Sequence, residues 1–190
     1  MTNILIIGAT GSLAQTVIAA AQAHENLNLT LFARRPTSLS DSLKKNARVI
    51  QGSALNQDDL NAAVAGQDIV YINLAGDLGN MARNIVQAMN ANGVRRVVAV
   101  SSIGIYDTPL KGVLKPYREL ADIIEQSGLD YTILRPDWFT HGSEIDYALT
   151  PKNQPERGGA VSRRSIADFV VKLFTAPQSY IGENVNISKV

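Results

Sequence analysis

The chain has 190 residues, 45% of them apolar, and 18 Lys and Arg against 17 Asp and Glu give a formal net charge of +1. That length fits one domain with its own core, and the near-neutral balance excludes bulk attraction to nucleic acid or an anionic membrane. With no cysteine there is no disulfide framework, thiol nucleophile or thiolate metal site.

The start, Met1-Thr2-Asn3, lacks the basic segment of a signal peptide, and no apolar run approaches the roughly 18 residues that span a bilayer. The expectation is a cytoplasmic protein. The run Ile4-Leu5-Ile6-Ile7 predicts a buried parallel strand, cut short at Gly8. Leu13, Val17, Ala20 and Ala21 then recur at helical spacing, so a helix is expected from Ser12 to about Ala23. Leu27 to Ala33 reads as a second strand, closed by Arg34-Arg35-Pro36 because proline cannot continue a ladder. A short helix or loop over Thr37 to Lys45 leads to a third strand at Arg48 to Gly52. Asn56 or Gln57 opens a helix that ends at Gly66.

Asp68 to Asn73 is the fourth strand, and a helix from about Asn80 to Asn92 stops at Gly93. Val94 to Ser101 is the fifth. A loop over Ser102 to Leu114 precedes a helix from about Pro116 to Gln126, with Pro116 suited to its first turn. Asp130 to Arg135 is the sixth strand, ended by Pro136. Strand and helix thus alternate, which predicts an α/β fold: one doubly wound parallel sheet with right-handed crossovers and helices on both faces. Residues 137–161 lose the pattern and are expected to form a loop-rich cover over the site. Ser165 to Thr175 is a last helix, and Asn184 to Ile187 a final short strand.

The chemistry gathers at strand ends. In doubly wound sheets, ligands bind beyond the carboxyl ends of the strands, where strand order reverses. Gly8 and Gly11 allow a sharp turn and a close approach to a pyrophosphate, with the amides of Thr10, Ser12 and Leu13 at the positive end of the helix. Ala14 takes the third small position and lets the helix pack closely on the strand. Arg34 and Arg35 follow the second strand, where an NAD site would carry Asp or Glu for the ribose hydroxyl. Guanidinium forks there suit a 2′-phosphate instead, which points to NADP over NAD.

Gly52, Ser53 and Ala54 follow the third strand, where an adenine would meet small groups. Leu74, Ala75 and Gly76, after Asn73, would flank the ribose. Both stretches also suit ordinary turns. Ser101 ends the fifth strand near the expected nicotinamide, as a donor to a substrate carbonyl or as a cap. Trp138, Phe139 and Tyr147 are candidate walls for a flat substrate, and His141 is a possible acid. No His, Asp and Glu spacing suggests a metal site.

Gly8-Ala9-Thr10-Gly11-Ser12-Leu13-Ala14, the Ser101-Ser102 strand end, and the run from Gln126 through Ser127-Gly128-Leu129-Asp130-Tyr131-Thr132-Ile133-Leu134-Arg135-Pro136 together carry a resemblance. The chain is similar to the atypical short-chain dehydrogenase/reductases, and within them to the NmrA-like NAD(P)-binding group that includes flavin and biliverdin reductase-like proteins. The resemblance implies a Rossmann fold, bound NADP and hydride transfer. The sequence departs from the catalytic members in one respect. They use Tyr-x-x-x-Lys, whereas Tyr117 is followed at that spacing by Ala121 and Tyr106 by Leu110, and none of the six tyrosines has the lysine. Some relatives without the pair are reductases and others are cofactor-sensing regulators. Tyr117 remains a candidate to face the nicotinamide.

Two functions are therefore open. The first is a cytoplasmic NADP-dependent reductase of a small, quinone- or flavin-like acceptor. The second is a non-catalytic NADP sensor that acts through a protein partner. An isomerase is a weaker third, since 190 residues leave little room for a sugar-nucleotide domain.

Overall fold

Ile4, Leu5, Ile6 and Ile7 are fully buried, as a strand covered on both faces requires. In the computed structural model, which describes residues 1–190, they lie in β1 (Thr2–Ile7) of an eight-stranded sheet. There follow α1 (Ser12–Ala21), β2 (Leu27–Ala33), α2 (Asp41–Lys44), β3 (Ala47–Gln51), α3 (Gln57–Val64), β4 (Ile69–Ile72) and α4 (Leu78–Ala91). The second half carries β5 (Arg96–Val100), α5 (Lys115–Gln126), β6 (Asp130–Pro136), β7 (Phe139–Thr140) and β8 (Ala148–Pro151). It ends with β9 (Val161–Ser162), α6 (Arg163–Thr175) and β10 (Glu183–Ser188).

The order across the sheet is β3-β2-β1-β4-β5-β6-β10-β8. From β1 the chain builds outward through β2 and β3, then returns to place β4 on the other side of β1. Strand order therefore reverses between β1 and β4, and a crevice opens beyond their carboxyl ends. Alternation along β1 divides the core. Ile4 and Ile6 pack with Leu13, Val17, Phe169 and Phe174 of α1 and α6. Leu5 and Ile7 pack with Leu60, Ile85, Leu120 and Ile124 of α3, α4 and α5. Each such side chain contributes roughly 1.5–3 kcal/mol when fully buried.

The sheet is parallel except at one edge, where β8 runs antiparallel to β10. Residues 137–161 are thus not wholly irregular. They contain β8, and β7 pairs with β9 to bring the two ends of the segment together. Asp137 closes the same seam, its carboxylate accepting from the amides of Trp138 and Gly159 at 2.8 Å each. Helix α4 starts two residues before the expected Asn80, because the Asp77 carboxylate accepts from the Asn80 amide at 3.3 Å and caps it. Helix α6 likewise starts at Arg163 rather than Ser165, capped by Ser162.

Candidate functional site

Gly8 follows β1 with φ of +87°, a conformation open to glycine and strained for other residues. A Cβ there would collide with the carbonyl oxygen of Asn73, at the end of β4. Gly11 is the N-cap of α1 and brings no capping side chain; its amide donates to the Gly8 carbonyl at 3.0 Å. The amides of Thr10, Ser12, Leu13 and Ala14 donate to no acceptor within the chain. Free N–H groups at the positive end of a helix form a site for an anion.

This turn opens onto a cleft of about 1460 Å³. Gly8, Thr10, Gly11, Ser12 and Leu13 line it after β1, and Arg34 and Arg35 after β2. Both arginines are exposed, and neither belongs to any of the chain's ion pairs. Gly52, Ser53 and Ala54 line it after β3. A Cβ on Gly52 would come within 2.5 Å of the Phe32 ring, so glycine alone allows this floor to lie flat. The loop is fixed by Asp59, whose carboxylate accepts from the Ser53 amide at 2.9 Å. Leu74 and Ala75 line the cleft after β4, but Gly76 does not. Its φ of +103° serves the turn into α4.

Ser101 and Tyr117 also line the cleft. Ser101 is 4% exposed, and its hydroxyl donates to the main-chain carbonyl of Tyr117 at 2.9 Å. Ala121 is buried at the position where a lysine would follow Tyr117. Trp138 and Phe139 form part of the far wall, with Trp138 82% exposed at the mouth. Tyr147 lies elsewhere, on the outer side of α6. Its hydroxyl donates to Asp168 at 2.9 Å and accepts from Lys172 at 3.0 Å, and its ring packs on Phe169. Burial pushes that hydroxyl above the ordinary tyrosine value. Residue His141 is exposed and outside the cleft. No group of three or more His, Asp or Glu side chains gathers to hold a metal.

Two further lining residues, Glu156 and Arg163, were not among the candidates drawn from the sequence. Glu156 accepts from the Gly104 amide at 2.8 Å and pairs with the fully buried Arg135. Arg135 donates to Asn184 at 2.7 Å, and Asn184 donates to Glu125 at 2.8 Å. Lys152 completes the chain at 2.7 Å from Glu125. This network fastens residues 137–161, the expected cover, to β6, β10 and α5. Burial lowers the Arg135 guanidinium below the ordinary arginine value. The second is Arg163, at the start of α6, with Nε 3.3 Å from Ser12 Oγ.

The cradle fits a dinucleotide: free amides for phosphates, a small-residue floor, and unpaired cations beyond β2. Residues 8–177 match the model of the NAD(P)H-binding family. A Rossmann-fold NAD(P)-binding family protein from Shigella flexneri is 43% identical, with a TM-score of 0.91 over 100% of this chain and 94% of that one. A short-chain dehydrogenase/reductase from Veillonella parvula, solved in complex with NADP, has a TM-score of 0.89 at 24% identity, over 99% and 94% of the two chains. Quinone oxidoreductase 2 of Escherichia coli K12 is 29% identical over 147 residues, covering 72% of this chain and 49% of that protein. The chain thus spans about half the length of this curated relative. No helix is long and apolar enough to cross a membrane. The chain belongs to the NAD(P)H-binding family and has a Rossmann fold.

Proposed function

We propose that the protein is a cytoplasmic reductase that uses NADPH to reduce a small, flat acceptor of the quinone or flavin class. One observation carries the reading: a single cleft runs from the free amides of α1, past Arg34 and Arg35, to an apolar mouth at Trp138, Phe139 and Val113. The α1 amides would hold the pyrophosphate, and the two guanidiniums would take the 2′-phosphate through charge-assisted bonds. Small residues after β3 and β4 would receive the adenosine. The bound nicotinamide supplies the hydride, while the protein orients the two rings and excludes water. Tyr117 faces the same space from α5, and Trp138 offers an exposed ring for a conjugated acceptor to stack upon. The NADP in the Veillonella complex and the activity named for the Escherichia coli relative support the cofactor and the acceptor class.

A second reading, an NADP-binding sensor that acts through a protein partner, is favoured by the committed Ser101 hydroxyl and the missing lysine. Oxidation of NADPH, followed by its near-ultraviolet absorbance against quinones, free flavins and aldehydes, separates the two. The reductase reading expects turnover of a quinone or flavin. Tight NADPH binding with no acceptor reduced would transfer the weight to the sensor.

A further inference from the structure

The first turn of α6 breaks a local electrostatic rule. Ser162 caps the helix, its hydroxyl accepting from the Ser165 amide at 3.0 Å. The first two helical residues are nevertheless Arg163 and Arg164, with no acidic residue in that turn. Cations are disfavoured at the positive end of a helix dipole, and such violations concentrate at functional sites. Arg164 is exposed to solvent, whereas Arg163 is only half-exposed and turns toward the cleft.

Three contacts fix its guanidinium. Nε lies 3.3 Å from Ser12 Oγ, Nη1 donates to the Thr140 carbonyl at 3.0 Å, and the group lies 5.6 Å from the centre of the Phe139 ring. None of these partners carries a negative charge, and Arg163 belongs to none of the chain's ion pairs. A partly desolvated cation therefore stands beside the free amides of Ser12 and Leu13 without a counter-charge. The positive end of α1 and a guanidinium from the first turn of α6 meet at one spot.

We propose that Arg163 binds the pyrophosphate of the dinucleotide and thereby ties the cover to the cofactor. The inference rests on dinucleotide binding in this cleft and adds to it a residue outside the glycine turn. Arg163 reads the diphosphate, which NADPH and NADH share, while Arg34 and Arg35 face the 2′-phosphate. Because the same guanidinium holds Thr140 and Phe139 in β7, a bound diphosphate fixes the strand that follows Trp138. Trp138 is the chain's single tryptophan, so its fluorescence reports that coupling directly.

The test is titration of intact protein, by calorimetry and by Trp138 fluorescence, with NADPH, NADH, ADP-ribose and adenosine 2′,5′-bisphosphate. Arg163→Met is expected to weaken the three diphosphates by a common factor of about 10- to 100-fold, the size of one or two charge-assisted bonds. The bisphosphate, which lacks the diphosphate bridge, is expected to lose about threefold or less, and Arg163→Lys to restore part of the loss by returning the charge. The fluorescence change on binding NADPH should shrink in Arg163→Met even at saturation. Unchanged diphosphate affinities, or an equal loss for the bisphosphate, would overturn the proposal while leaving cofactor binding intact. Failure of the wild-type chain to bind any of the four would overturn the cofactor reading with it.

Discussion

The Ser101 hydroxyl donates to the main-chain carbonyl of Tyr117 at 2.9 Å, joining the end of β5 to the first turn of α5. The bond uses the hydroxyl's single proton, so the serine braces the wall from which Tyr117 faces the cleft. Ser101→Ala removes the brace but leaves that carbonyl in the hydrogen-bond ladder of α5, at a cost of about 0.5–1.5 kcal/mol. Acceptor turnover is expected to stay within about tenfold of wild type. Denaturant midpoints and kcat measured on one preparation check both halves. A fall in kcat of about 10²- to 10⁴-fold, the size of a general acid's contribution, would return the hydroxyl to the reaction.

Arg34 and Arg35 extend beyond β2 without carboxylate partners, although the adjoining turn is ordered by the Arg35 carbonyl, which accepts from the Ser38 amide and hydroxyl. Their charge is therefore available to a ligand. Arg34→Glu replaces a donor fork with an acceptor and is expected to weaken NADPH about 10- to 100-fold. NADH, which has no 2′-phosphate, should change by about threefold at most. The ratio of the two dissociation constants is the quantity to measure. Equal losses would mean that the arginine serves the cleft as a whole.

Much of this site was legible because its parts are backbone features with strong residue requirements. A turn with positive φ at Gly8, a helix without a capping side chain at Gly11, and a strand ended by Arg35-Pro36 all leave marks in a single sequence. Continuous apolar runs also located β1, β2, β4, β5 and β6, since strands covered on both faces are apolar at nearly every position. Strand β8 escaped for a physical reason. It is four residues long and lies at the sheet edge, where its one neighbour is β10, and that pairing is a long-range fact. Tyr147 looked like a pocket aromatic because of its neighbours in sequence, yet Asp168 and Lys172 draw it to the other side of α6. Arg163 did leave a signal, two cations in the first turn of a helix, that becomes visible once the helix start is placed at residue 163 rather than 165.

Arg135 is fully buried, and its charge is met by Glu156, which reaches in from the cover. Breaking such a pair from one side costs about 3–5 kcal/mol, whereas replacing both partners by apolar groups can be nearly neutral. Glu156→Leu alone is therefore expected to destabilise by that amount and to loosen the cover, because the Gly104 amide loses its acceptor as well. Adding Arg135→Met should recover a large part of the loss. A double-mutant cycle by denaturant unfolding measures the coupling. Additive losses would show that the pair contributes no more than ordinary packing.

Glu125 stands where α5, β10 and the cover meet, and its charge gives the fold a defined acid limit. Burial alone would raise its pKa, but hydrogen bonds from Lys152 and Asn184 outweigh that and hold it below the ordinary 4.5. A carboxyl whose folded value is depressed adds stability above its unfolded value, and that stability disappears as pH falls through the folded one. The contribution of Glu125 is therefore complete at neutral pH, begins to decline near pH 4.5, and is gone once the folded carboxyl is protonated. Glu125→Gln should lower the melting temperature at pH 7, and the gap to wild type should narrow steadily as pH falls from about 4.5. Lys152 has the opposite sign. Burial alone would lower its pKa, but its bonds to Glu125 and the neighbouring Tyr106 raise it above the ordinary 10.5, so its contribution lasts from neutral pH until alkaline pH passes that value. Lys152→Met should thus show a constant gap to wild type from pH 6 to 9. Melting curves across both ranges check the assignment, and a gap for Glu125→Gln that stays constant down to pH 3 would mean that the carboxylate charge does not hold the cover.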